Sequence, residues 1–209
     1  VKEAKVVNDA NGVIPTYNVE ATLSDGGNLY AQLTKQGANV VMFNCYHDCN
    51  KENYTLDDCE EIAESFVKKA GFDGMTVVWK ASGNNVAQFN FAFEENGIVV
   101  YSDLVKVNVC MERGVVSAIE ANEYFLNHTE RKIAKAKITE AQATEKVSMI
   151  DVSSVRKAIV PVGETDERLA YEVYGKYEDA YYFVYIDAIT GEELEIFKVV
   201  GTKNGTVVI

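Results

Sequence analysis

The chain has 209 residues, 47% hydrophobic and 25% charged, with only two prolines. That content fills one large domain or two to three small ones and excludes a disordered tail or a collagen-like repeat. The 20 basic residues stand against 32 acidic ones, a net charge of −12 with the histidines neutral. Such a polyanion is repelled by nucleic-acid phosphates and anionic membrane surfaces, so no nucleic acid is expected among its partners. A cationic patch on a protein is favoured instead. No run approaches the roughly 18 apolar residues of a membrane helix. The chain opens at Val1 without a signal-peptide pattern. It is expected to be a piece of a longer protein whose membrane anchor lies in a segment absent from this chain.

The first expected elements are strands: 16–22, then a hairpin whose arms, 28–34 and 40–43, flank Gly37. A helix follows over 56–70. Thr55 and Asp58 pair as an N-terminal cap, and Cys59, Ile62, Ala63, Phe66, Val67 and Ala70 fall on one stripe. Gly71 supplies the stop. Strand 86–93 leads into a second hairpin, 103–111 and 115–119, turning at Gly114. Ala121, Tyr124, Phe125 and His128 then have helical spacing, which predicts a short linking helix. A second capping pair, Thr139 and Gln142, opens a weaker helix over 140–149 with Ala143, Val147 and Ile150 inward. Strand 169–174 and a third hairpin, 182–188 and 194–200 about Gly191, complete the series.

The three turn glycines each stand 77 residues after the last, so the pattern is an internal repeat. The predicted fold class is α+β: tandem repeats, each a helix packed on a three- to four-stranded antiparallel sheet. The divisions are a truncated repeat without its helix (1–50), a second repeat (51–120), a linking helix (121–137) and a third repeat (138–209).

A helix followed by antiparallel strands and closing on YFVYIDAITGEELEI resembles the PepSY module, whose hallmark here is Asp187–Ala188 followed by Thr190, Gly191 and Glu192. Over roughly residues 11–209, and most closely from residue 105 onward through Tyr124, His128 and Arg131 into AIVPVGETDERLAYEVYGKYEDAYYFVYIDAITGEE, the chain resembles the C-terminal PepSY repeats of the YpeB family of spore germination proteins. The resemblance implies a non-catalytic, extracytoplasmic protein of the bacterial endospore, facing the cortex and anchored in the membrane through its N-terminal part. It implies a partner, a cortex-lytic peptidoglycan hydrolase of SleB type, which the protein stabilises, localises or restrains. PepSY modules of protease propeptides supply the alternative, an inhibitory module.

The candidate chemistry is sparse. Every histidine-dependent triad must use His47 or His128, and no nucleophile elbow, zinc-protease, phosphate-loop or dinucleotide motif is present. No enzyme activity and no cofactor are expected. The segment CYHDC sets Cys45, His47 and Cys49 two residues apart, with Cys59 ten further on. Ordinary free cysteines, a Cys45–Cys49 disulfide and a zinc site of a metal-responsive sensor are all compatible with it. Cys110 reads as a core residue. Tyr124, His128 and Arg131 are candidates for partner binding, with the fixing of a helix end as the plainer reading of His128 and Arg131. Tyr171, Tyr181 and Tyr185, in a tyrosine-rich pair of strands, are further candidates for partner binding. Alternation should bury about half of that set and leave the rest as a binding face.

Overall fold

The computed structural model describes residues 1–163, 166–202 and 205–208. Among them are three helices and thirteen strands. They are β1 (Glu3–Asn11), β2 (Pro15–Thr22), β3 (Asn28–Thr34), β4 (Val40–Tyr46), α1 (Leu56–Lys69), β5 (Met75–Gly83), β6 (Val86–Glu95), β7 (Ile98–Cys110), β8 (Val115–Glu120), α2 (Asn122–Asn127), α3 (Glu140–Lys146), β9 (Asp151–Val162), β10 (Asp166–Tyr177), β11 (Ala180–Asp187), β12 (Glu193–Thr202) and β13 (Gly205–Val208). The class is α+β, as expected. The chain divides into two compact units: 1–93 with 103–128, and 94–102 with 129–209.

In the first unit, strands pair in the order β1-β2-β3-β4-β8-β7, with β5 paired to β6. Helix α1 starts on the expected capping box: Thr55 accepts from the Asp58 amide, and the Asp58 carboxylate accepts from Thr55. It ends at Ala70, with Gly71 at φ 91°. Its buried stripe, Cys59, Ala63 and Val67, meets Phe72, Phe89, Phe91, Val105, Val107 and Ile119 in one apolar cluster. At the β7–β8 turn Gly114 has φ 63°, and a Cβ there would meet the Tyr54 ring at 2.5 Å, so this turn needs glycine twice over.

In the second unit β9, β10, β11 and β12 form consecutive antiparallel pairs, and Ile98–Val100 of β7 runs parallel to β9. Helix α3 also starts on its capping box, Thr139 with Gln142, and lies against β9 and β10.

Several expectations are corrected. Strands β1, β5 and β9 were not anticipated. β1 is polar and almost wholly exposed, so it lacks the alternation that marks a half-buried strand. The linking helix shrinks to α2, because His128 is extended (φ −65°, ψ 116°) and closes it. The helix over 140–149 stops at Lys146, where Val147 leaves helical geometry at φ −110°, ψ 38°. The Cys45–Cys49 bridge is not formed. Cys49 is joined to Cys110, 61 residues away, with their Cα atoms 5.9 Å apart. Strand β4 ends at Tyr46, and the chain then runs beside the end of β7, where Asn53 and Tyr54 donate to the Met111 carbonyl at 2.9 Å each. Cys45 and Cys59 are free thiols.

Candidate interaction surface

The register of the second unit sorts its aromatics. Tyr174 stands opposite Phe183, and Phe183 opposite Phe197, so these side chains share one face with Glu172, Tyr181 and Tyr185. Tyr171 is on the other face. Burial does not follow this division. Tyr171 and Tyr185 are both buried, at 4% and 7% exposure, although they point to opposite sides. Residues 169–173 and 184–188 are buried throughout, so burial is graded along the strands rather than between faces. This corrects the assignment of Tyr171 and Tyr185 to a binding face. The Tyr171 hydroxyl donates to the Ile138 carbonyl at 3.0 Å, ahead of α3.

The buried end of the aromatic face holds a polar cluster that sequence reasoning missed. Arg156, Glu172 and Tyr185 are direct neighbours across β9, β10 and β11. Glu172, only 3% exposed, accepts from Arg156 Nε at 2.7 Å and from the Tyr185 hydroxyl at 2.9 Å. Tyr101 donates to the same carboxylate, and its oxygen accepts from Arg156 at 2.6 Å. Burial first, then the Glu172 charge, pushes both phenols far above their ordinary range, so they remain donors. A buried carboxylate with three donors is a fastening, since the carboxylate is stable there only while it is paired. Its members come from four strands, and only the register reveals them.

The other end of the face is open. Tyr181 is 42% exposed and stacks on Tyr174 at 5.5 Å between ring centroids, with an interplanar angle of 14°. Tyr174 meets Phe183 at 4.7 Å, whereas Ile196 of β12, 45% exposed, stands opposite Val184 and belongs to the other face. Neighbouring rings hold these side chains, so little rotamer entropy remains to be lost on contact with a partner.

The remaining candidates have structural partners. In the first unit Tyr124 stacks on His128 at 4.3 Å and meets Phe72 edge-on at 5.1 Å. His128 Nδ1 lies 2.7 Å from the fully buried Asp103 carboxylate, which accepts its proton. In the second unit Arg131 makes a two-pronged contact with Glu167, at 2.8 and 2.9 Å. That guanidinium holds the Glu167 carboxyl below its ordinary range against the effect of burial. His128 closes α2, whereas Arg131 lies beyond the helix, and each is engaged by its own carboxylate.

The PepSY hallmark also proves architectural. Asp187 Oδ1 accepts the amides of Ile189 and Thr190 at 2.7 and 2.9 Å, and Arg168 reaches Oδ2 at 3.3 Å. Thr190 Oγ1 accepts the Glu192 amide, and Gly191 takes φ 75°. The motif folds the β11–β12 hairpin.

The expected set of Cys45, His47, Cys49 and Cys59 is not assembled: Cys59 is buried in the α1 stripe, and Cys110 stands with Cys45 and Cys49 near His47 instead. Among the described residues no helix is long and apolar enough to cross a membrane.

Comparison with known proteins follows this architecture. Residues 1–134 match the family profile "YpeB sporulation, PepSY1 and PepSY2 domains", and residues 131–197 match "Peptidase propeptide and YPEB domain". The sporulation protein YpeB of Oceanobacillus iheyensis is 27% identical over 190 residues, covering 90% of this chain and 42% of its own length. That of Bacillus subtilis is 28% identical over 173 residues, covering 81% and 38%. The chain thus spans about two-fifths of the length of these relatives. The solved Bacillus megaterium YpeB C-terminal domain superposes with a TM-score of 0.86 at 28% identity, covering 94% of this chain and 88% of that one. With profile, relatives and solved structure agreeing, the chain belongs to the YpeB family of sporulation proteins and corresponds to their C-terminal PepSY region.

Proposed function

We propose that this region is a non-catalytic binding module that stabilises, localises or restrains a cortex-lytic peptidoglycan hydrolase of SleB type on the extracytoplasmic side of the spore membrane. The four-strand groups β1–β4, β5–β8 and β9–β12 are then successive PepSY copies, the first without a helix. The observation that carries the reading is the open aromatic end of the second unit, Tyr181 on Tyr174 beside Phe183. It is a rigid, amphipathic patch of the composition enriched in interface hot spots. The surplus of acid would speed encounter with a cationic partner and make it sensitive to salt.

Titration of the purified chain with a SleB-type hydrolase, at low and high salt, tests this. Saturable binding is expected, weakened by salt and reduced at least about tenfold by Tyr181→Ser. No binding at low salt, with both proteins folded, removes the reading. The match of residues 131–197 to the peptidase-propeptide domain favours a second reading, inhibition of an extracytoplasmic protease. Unchanged proteolysis across a panel of such enzymes in excess chain eliminates it.

A further inference from the structure

The first unit brings together a sulfur and nitrogen cluster that the surface described above does not use. Strand β4 carries Cys45, and the chain leaving it carries His47 and Cys49. β7 ends in Cys110. One ligating atom each from His47, Cys49 and Cys110 lies within 4.8 Å of the other two. Cys45 Sγ is 3.2 Å from His47 Nδ1, which leaves Nε2 as the free ring nitrogen, and Nε2 is buried with no hydrogen-bond partner. A buried ring nitrogen without a partner, on a histidine with a ligating atom within 4.8 Å of two sulfurs, calls for an acceptor of its lone pair.

The disulfide does not by itself hold the cluster in place. Asn85 Nδ2 donates to the Cys49 carbonyl at 3.1 Å, the Asn50 amide to the Glu112 carboxylate at 2.7 Å, and Asn53 Nδ2 to the Glu112 carbonyl at 2.8 Å. These bonds tie Cys49 and the residues after it to the β5–β6 and β7–β8 turns, so the segment stays against Cys110 when the sulfurs part. A tetrahedral zinc ion with two thiolates and one imidazole sets its ligand atoms roughly 3.5–3.8 Å apart, which this cluster reaches by side-chain rotation.

We propose that the Cys49–Cys110 disulfide is the oxidised form of a zinc site, and that its reduction creates a centre built of Cys49, Cys110 and His47 Nε2. Cys45 is a positioning residue, its sulfur accepting a hydrogen bond from Nδ1–H and so fixing the ring and its tautomer. Cys49 is partly exposed and Cys110 buried, so reduction begins at Cys49. The thiolate of a dithiol attacks Cys49 Sγ, the S–S bond breaks, and Cys110 leaves as a thiolate and takes a proton. The second thiol of the reductant then displaces Cys49, yielding the cyclic disulfide of the reductant and two cysteine thiols. Zinc binding replaces the two thiol protons, which pass to solvent.

The test compares oxidised and phosphine-reduced chain with zinc in native mass spectrometry, and with cobalt(II) as an absorbing probe. The phosphine performs the same two-electron reduction, with water supplying the oxygen of its oxide. The reduced chain is expected to take up one ion and show thiolate-to-cobalt charge transfer; the oxidised chain takes up none. Cys49→Ser should lose binding at least about a hundredfold without disturbing the core. Cys45→Ser should lose roughly tenfold and keep the charge-transfer band. Cys59→Ser should bind as the parent does. The proposal is overturned if the folded reduced chain takes up no ion, if Cys49→Ser and Cys110→Ser both bind as tightly as the parent, or if Cys59→Ser abolishes uptake.

Discussion

The two units use the same hairpin but fill their interiors differently. The first lays a fourteen-residue helix over its sheet and buries an almost purely apolar cluster, with Phe89, Phe91, Val105, Val107 and the α1 stripe at its centre. The second has only the seven-residue α3, in which Ala143 alone is buried. The face of Tyr171, which reaches toward α3, buries Val173, Val184 and Ile186, while the opposite face buries the Arg156–Glu172 pair with Tyr101 and Tyr185 and leaves its remaining aromatics as a surface.

The comparison breaks first where the apolar cluster is cut. Phe89→Ala should cost about 3–5 kcal/mol, read as a fall in the urea midpoint of the Trp79 fluorescence transition, since the chain's single tryptophan lies in β5 of the first unit. An unchanged midpoint would mean that the cluster does not hold the unit together. Next, Arg156→Ala leaves Glu172 buried without its cation and should cost about 3 kcal/mol. Hydrogen exchange should locate that loss in β9–β11. Equal loss across β5–β8 would show that the two units unfold together.

The smallest effect concerns the hairpin motif. Burial raises the Asp187 carboxyl, but the Thr190 and Ile189 amides and Arg168 outweigh it and hold the carboxyl below its ordinary value near 3.8. The carboxylate therefore contributes stability above pH 4, and the contribution fades as pH falls through the lower native value. Asp187→Asn should cost about 1–2 kcal/mol at neutral pH and flatten the acid limb of the stability curve. An unaltered acid limb would assign that dependence to other carboxylates.

What could be read in advance was local. Helix 56–70 needed only its stripe, Thr55 and Gly71, and both capping boxes follow from residues three apart. The turn glycines at 37, 114 and 191 all take positive φ or left-handed turns at 86°, 63° and 75°. What could not be read depends on register between distant strands. Glu172 appears as one acid among 32 until Arg156 and Tyr185 are placed opposite it. Cys49 finds Cys110 only because β7 ends beside the segment leaving β4. Tyr171 and Tyr185 fall on opposite faces and are both buried, because at that level of the strands neither face is open.

The central claim, a module that acts on a hydrolase without being one, is tested most directly by muropeptide release from purified spore cortex. The account predicts no release by the chain alone, and a rate or lifetime of lysis by a SleB-type hydrolase that changes when the chain is added and reverts with Tyr181→Ser. Release by the chain alone that vanishes when one of its acidic residues is neutralised would contradict it.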